Sequence, residues 1–201
     1  MTAFDATPLT ATIGSEVRGI DLVRDLSPTL AAELRALLLE RAVLVFRDQK
    51  LTPETHLSLG AAWGALAPRN PMYPHVPGHE QIMVVRDDPS SPPENETWHA
   101  DLSFRTDPPF AALLHGVEIP SAGGDTLWAD MRAAADALSA PMRAFLSVLE
   151  AEHSQAKGFD FVHSARQNDR AAALANQDRS SNTSRHPVLK AHPSTGSECG
   201  W

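Results

Sequence analysis

A single cysteine, Cys199, stands among the 201 residues, so no disulfide can form within the chain. Stability then has to come from a packed core, and the expected setting is reducing and cytoplasmic. Long hydrophobic runs are missing too: no stretch approaches the ~20 apolar residues that a membrane-spanning helix needs. The opening, MTAFDATPLT, has neither a basic start nor an apolar segment and does not read as a secretory signal. The Asn-x-Ser/Thr triplets at 95–97 and 182–184 are therefore expected to be chance matches. Positive charge is scarce: 17 Lys and Arg oppose 25 Asp and Glu, the net charge is −8, and the basic residues are scattered. An acidic chain without a basic patch argues against nucleic acid and against anionic membranes as partners.

What is present suits one soluble domain spanning residues 1–201, with 42% hydrophobic and 21% charged residues and enough length for a sizeable core. TATIGSEVRGIDL reads as a strand or hairpin punctuated by Gly14 and Gly19. SPTLAAELRALLLER predicts a helix capped by Ser27, with Pro28 in its first turn and Leu30, Leu34, Leu37 and Leu38 on one face. AVLVF (42–46) predicts a short buried strand, and TPETHLSLGAAWG a second Thr-Pro helix. QIMVV (81–85), TWHADLSF and FAALLHGVEI (110–119) read as strands. SAGGDTLWADM reads as a tight turn entering another strand. Residues 131–153 read as helix interrupted near Ser139-Ala140-Pro141, with Met142, Phe145, Leu146 and Leu149 as an apolar face. Residues 164–185 read as a polar loop, and HPVLKAHP as a last strand. Strands in the middle with helices on the flanks predict a mainly β core with helices outside it, not a parallel βαβ sheet.

The chemistry concentrates in ETWHADLSF, residues 96–104. His99 and Asp101 are two positions apart, and on a strand such side chains leave the same face. A histidine nitrogen and a carboxylate, completed by a second histidine, form the facial triad of non-haem Fe(II) oxygenases. Taken alone the pair is a weak signal. With nine histidines in the chain, a His-x-Asp triplet arises by chance about as often as not. A satisfied strand histidine beside a surface aspartate is the commoner arrangement.

The surrounding text is more specific. NETWHADLSF, the Pro-Pro that follows, and LLHGVEIPSAGGDTLWADM resemble the taurine dioxygenase (TauD/TfdA-like) family. IGSEVRGIDL, VLVFRDQ followed by LTPE, NPMYPH and HPVLKAHPSTG extend the resemblance over about residues 8–196. It implies an Fe(II)- and 2-oxoglutarate-dependent dioxygenase on a double-stranded β-helix, or jelly roll. Its partners would be O2 and a small anionic substrate, and a homo-oligomer stays open. Residue by residue, the resemblance makes His99 and Asp101 the first two iron ligands. Thr126, in GGDTLW, becomes the hydroxyl that helps hold the 2-oxoglutarate carboxylate. Asn95 and Tyr73 match substrate contacts, and Phe159 a pocket-lining aromatic.

The chain departs from the family in two places. Taurine-specific members carry a histidine where this chain has Asn70. Asparagine can donate a hydrogen bond but never carries charge, and charge-assisted bonds are roughly twice as strong as neutral ones. The expected substrate is therefore another sulfonate, a sulfate ester or a carboxylate, with Asn70 still facing it. The second departure is larger. The family's second ligand histidine and its 2-oxoglutarate-binding arginines belong to a C-terminal third, whereas the family-like text here stops near Gly196 and SECGW follows. A truncated or frameshifted chain is expected, with an incomplete jelly roll that lacks part of its eight strands. His115, His153, His163, His186 and His192 do not occupy the family's ligand position. Two readings follow: a dioxygenase hydroxylating a C–H bond of a small anion, or a catalytically inactive truncated member with weak metal binding at most.

Overall fold

The computed structural model describes residues 4–70, 73–87, 98–155 and 183–200. In chain order the elements are β1 (Asp5–Pro8), β2 (Ser15–Arg18), α1 (Pro28–Arg41), β3 (Leu44–Phe46), α2 (Pro53–Ala61), β4 (His75–Val76) and β5 (His79–Met83). Then come α3 (Met131–Asp136), α4 (Ala140–Leu146), β6 (Glu150–Ser154), β7 (Thr183–Pro187), β8 (Leu189–Ala191) and β9 (Glu198–Gly200). Among the described residues the architecture is mixed helix and strand with small sheets, one of three strands and three of two. The chain divides into two compact units. The first comprises Met1–Leu66, Leu113–Ala140 and Ala191–Gly200, the second Ala67–Ala112 and Pro141–Lys190.

In the first unit β2 is the central strand, antiparallel to β1 and parallel to β3. Parallel neighbours need a crossover, and α1 supplies it. This local βαβ unit departs from the sequence expectation, which set parallel pairing aside. The cause is the length of α1, enough to carry the chain back along the sheet. Its start follows the residues: the Ser27 hydroxyl accepts from the Leu30 amide at 3.1 Å, and Pro28 occupies the first helical position, where no amide donor is needed. Ala42 ends it in the left-handed region, at φ 60°, so β3 begins at Leu44 rather than at residue 42. Thr52 and Thr55 cap α2 reciprocally.

The core of this unit gathers Val17, Leu22, Leu30, Leu34 and Leu59, with Phe46, Trp63 and Leu113 among the residues packed around it. Leu34 has no solvent exposure. Two polar ties close the core's edge. Gln49 bridges the Leu22 amide (2.9 Å) and the Ile20 carbonyl (3.3 Å), and the Trp63 indole donates to the Ala31 carbonyl at 2.9 Å. Asp130 caps α3 by accepting from the Arg132 and Ala133 amides, while Arg132 reaches the carbonyls of Leu39 and Glu40 at 3.1 Å. Desolvation pushes the Asp130 carboxyl up. The amides of Ala133 and Arg132, with the Arg132 guanidinium, outweigh it and hold the group below its ordinary value.

In the second unit β4 and β5 form an antiparallel hairpin through the left-handed Gly78, and β6 pairs antiparallel with β7. The helix expected to run to residue 153 stops earlier, because Glu150–Ser154 is drawn into a five-residue ladder with Thr183–Pro187. Pairing across the chain overrides local helical preference there. The break near Pro141 is as expected, but among the described residues α4 has no buried side chain, and Met142 and Phe145 are exposed. The segments 110–119 and 125–129, read as strands, are irregular and without ladder partners among the described residues. Their apolar side chains Leu114, Val117, Ile119 and Leu127 are 71–88% exposed. A strand exists only with a hydrogen-bonded neighbour, and alternation in sequence cannot supply one.

Leu34→Ala tests the core assignment. Large-to-small changes at fully buried leucines typically cost about 3 kcal/mol, so the unfolding free energy from denaturant titration should fall by that amount and the midpoint with it. Ala36→Ser, on the exposed face of the same helix, should leave it nearly unchanged.

Candidate metal centre

His99 and Asp101 lie in the second unit, and their segment is not the strand that the sequence suggested. Residues 98–100 are irregular, and 101–107 run through successive turns. Leu102 sits at φ 53°, a left-handed conformation uncommon for a residue with a branched side chain. It reverses the chain between Asp101 and Ser103. The Arg105 amide then donates to the Leu102 carbonyl at 2.9 Å and the Ser103 amide to the Ala100 carbonyl at 3.4 Å. The convergence expected from strand geometry is achieved by a turn instead. His99 Nε2 and Asp101 Oδ1 stand 3.3 Å apart, with the two side chains 51% and 62% exposed.

This donor set suits a divalent transition metal. An imidazole nitrogen and a carboxylate oxygen are the mixed donors of facial-triad iron sites. Neighbouring ligands at about 2.1 Å from a six-coordinate ion stand about 3 Å from each other, close to the separation seen here. The pair supplies two donors. Among the described residues no group of three His, Cys, Asp or Glu side chains is arranged to hold an ion.

The other histidines have their own contacts. His115 meets the edge of His56 in the first unit, with ring centroids 6.1 Å apart. The Ser194 amide donates to His192 Nδ1 at 3.2 Å. His153 packs edge-on against His186 at 5.2 Å. His186 is buried, and its Nε2 lies 2.9 Å from the Ser103 carbonyl, 3.1 Å from the Arg105 carbonyl and 2.8 Å from Ser184 Oγ. Ser184 Oγ also donates to the Ser103 carbonyl at 3.2 Å. Sequence reasoning missed this contact. The sequence places the end of the polar loop at residue 185 and the start of the last strand at His186, whereas the strand starts at Thr183 and carries both Ser184 and His186, whose partners lie some 80 residues earlier.

Of the remaining expected site residues, Asn70 and Tyr73 belong to the second unit and Thr126 to the first. The Tyr73 amide donates to the Asn70 carbonyl at 3.4 Å, so these two share a turn at the entrance to β4. Thr126 is exposed, on the irregular segment leaving the left-handed glycines Gly123 and Gly124. Two successive positive φ values make this the tight turn expected of SAGGD. Asn95, Phe159 and His163 lie outside the described residues.

A His-x-Asp pair held on a turn is a candidate metal-binding motif. Residues 5–199 match the family described as taurine catabolism dioxygenase TauD, TfdA family. An α-ketoglutarate-dependent sulfonate dioxygenase of Saccharomyces cerevisiae is 32% identical over 95% of this chain and 47% of its own length. An (S)-phenoxypropionate/α-ketoglutarate dioxygenase of Sphingobium herbicidovorans is 36% identical over 76% of this chain and 54% of its own. In structure, a taurine dioxygenase from Burkholderia xenovorans superimposes with a TM-score of 0.77 and 32% identity, covering 99% of this chain and 62% of that one. The chain belongs to the TauD/TfdA family. It spans about half the length of the curated relatives it matches.

Three of the histidines bear on stability. Burial holds His56, His153 and His192 below the ordinary imidazole value of 6.5. The neighbouring His115 and His186 rings add to this for His56 and His153, and Arg132 and Arg35 for His192. The unfolded chain therefore takes up these protons first as the pH falls. Their contribution is complete above about 6.5 and is lost as the pH drops from there through the lower folded values. The urea midpoint should be lower at about pH 5.5 than at about pH 7.5, and replacing His56 with Gln should reduce the difference. A midpoint that rises on acidification would contradict the assignment.

Proposed function

We propose that this chain carries the iron-binding motif of an Fe(II)- and 2-oxoglutarate-dependent dioxygenase acting on a small anionic substrate. The observation that carries the reading is the 3.3 Å approach of His99 Nε2 to Asp101 Oδ1, within a sequence that matches the family along nearly its whole length. The jelly-roll framework of the family is the scaffold proposed for it. Iron, when bound with 2-oxoglutarate and O2, supplies the oxidising power to hydroxylate a C–H bond, with succinate and CO2 as co-products. His99 would offer an imidazole nitrogen and Asp101 a carboxylate oxygen to the ion. The Thr126 hydroxyl donates to a 2-oxoglutarate carboxylate. Tyr73, Asn95 and Phe159 border the substrate, and the Asn70 amide faces its anionic group. Relatives acting on a sulfonate and on phenoxypropionate support a sulfonate, sulfate ester or carboxylate as substrate. With a neutral amide at position 70, taurine is a poor candidate. A soluble cytoplasmic setting agrees with the single cysteine, and no helix among the described residues is long and apolar enough to cross a membrane.

A second reading is favoured by one observation: two donors, not three, converge among the described residues. In this reading a polypeptide of these 201 residues binds iron weakly and does not turn over by itself. Succinate release from 2-oxoglutarate, with Fe(II) and a panel of sulfonates, sulfate esters and carboxylates, separates the two. The expected outcome is turnover at least 10–100-fold below a median enzyme rate of about 10 per second, since even outer-shell losses cost that much. Turnover near the median, abolished by His99→Ala, would mean that a further side chain completes the site. For the pair itself, His99→Ala and Asp101→Ala should each weaken Fe(II) binding, followed by anaerobic calorimetry, by at least about 10-fold. Unchanged affinity in both variants would remove the pair from the metal centre.

A further inference from the structure

The turn that carries His99 and Asp101 is tied to the far end of the sequence. Leu102 occupies a left-handed conformation at φ 53°, which costs on the order of 1 kcal/mol for a non-glycine residue and persists only where the surroundings enforce it. Within the turn the Arg105 amide donates to the Leu102 carbonyl at 2.9 Å and the Ser103 amide to the Ala100 carbonyl at 3.4 Å. The ring nitrogen of His186 reaches the Ser103 and Arg105 carbonyls, and the Ser184 hydroxyl reaches the Ser103 carbonyl as well. Both carbonyls accept only, so Nε2 must carry a proton and donate. Ser184 and His186 are both buried, on the same face of β7. Buried donors are bound to find acceptors, and here the acceptors belong to the ligand-bearing turn. Residues 101 and 103 are adjacent to Leu102 on either side. Fixing the Ser103 carbonyl therefore limits where the Asp101 side chain can go.

We propose that His186, assisted by Ser184, is a positioning residue for the metal centre: through the Ser103 and Arg105 carbonyls it locks the turn that presents His99 and Asp101. The role is that of a second layer of hydrogen bonds around ligands, where losses typically cost 10–100-fold in metal affinity. His186 does not bind the ion, because its Nε2 is directed at backbone oxygens. The proposal rests on the reading of His99 and Asp101 as ligands, so one half of its test does without metal.

The experiment compares the 201-residue chain with His186→Ala, His186→Gln and Ser184→Ala. Glutamine is the conservative variant, because its amide can donate from nearly the position of Nε2. Without metal, NMR reads the three-bond HN–Hα coupling of Leu102 and the hydrogen exchange of the Arg105 amide. With Mn(II) as probe, paramagnetic broadening of residues 99–105 reports affinity. In His186→Ala the Leu102 coupling is expected to move toward a conformational average and Arg105 exchange to accelerate by about 10-fold or more. Mn(II) affinity should fall about 10–100-fold. His186→Gln should restore most of both, and Ser184→Ala should show the same changes a few-fold smaller. Should His186→Ala fail to fold, Ser184→Ala and His186→Gln decide the matter. Wild-type coupling, exchange and affinity in Ser184→Ala, or a glutamine variant no better than a folded alanine one, overturns the proposal. Absence of Mn(II) broadening in the wild-type chain would sink the ligand reading itself. The metal-free half then judges the anchor alone, and an unchanged Leu102 coupling in His186→Ala overturns it.

Discussion

Five residues of β6 face five of β7 in unbroken antiparallel register, from Glu150 opposite Pro187 to Ser154 opposite Thr183. That register decides which face of β7 turns inward. Ser184 and His186 are buried, whereas Arg185 between them is exposed and reaches Glu152. A slip of one residue would exchange the two sets. It would place Arg185 where the Ser103 and Arg105 carbonyls now find donors, and those half-buried acceptors would lose their partners. Each such loss costs about 1–3 kcal/mol, so the register and the turn at 101–107 stabilise one another. The candidate metal centre thus depends on a ladder formed far from it in sequence.

The two units illustrate different ways of holding a chain. The first has a leucine-rich core under a three-stranded sheet, and its helices are capped by side chains placed next to them in sequence. The second relies on two antiparallel strand pairs and on polar ties to backbone carbonyls. The candidate ligands His99 and Asp101 are located in the second unit, on a turn, with side chains 51% and 62% exposed.

The exposed apolar residues between 114 and 128 stand apart from both. Leu114, Val117, Ile119, Leu127 and Trp128 all lie in irregular segments of the first unit. Isolated exposed leucines are normal. Five large apolar side chains within fifteen residues, on backbone that has the sequence pattern of strands, is not the usual surface of a folded monomer. The backbone donors and acceptors there have no ladder among the described residues, which is also how an edge behaves before it is paired.

Much was legible from the residues alone. Helix starts at Ser27 and Thr52 follow from a hydroxyl that accepts an amide and a proline that needs no donor, interactions that span three residues. The left-handed turns at Gly14, Gly19 and Gly123–Gly124 follow from the missing Cβ. The pairing of His99 with Asp101 was visible in their spacing, and the family in the motifs around them. Tertiary structure alone decided the rest. Residues 98–107 became a turn rather than a strand because donors from β7 hold it, residues 150–154 a strand rather than helix because β7 is opposite, and β2 and β3 parallel because α1 carries the chain back. Each of these outcomes depends on groups tens of residues apart. Local propensity differs between conformations by about 1 kcal/mol or less per residue, and a buried hydrogen bond or ladder formed across that distance is enough to reverse it.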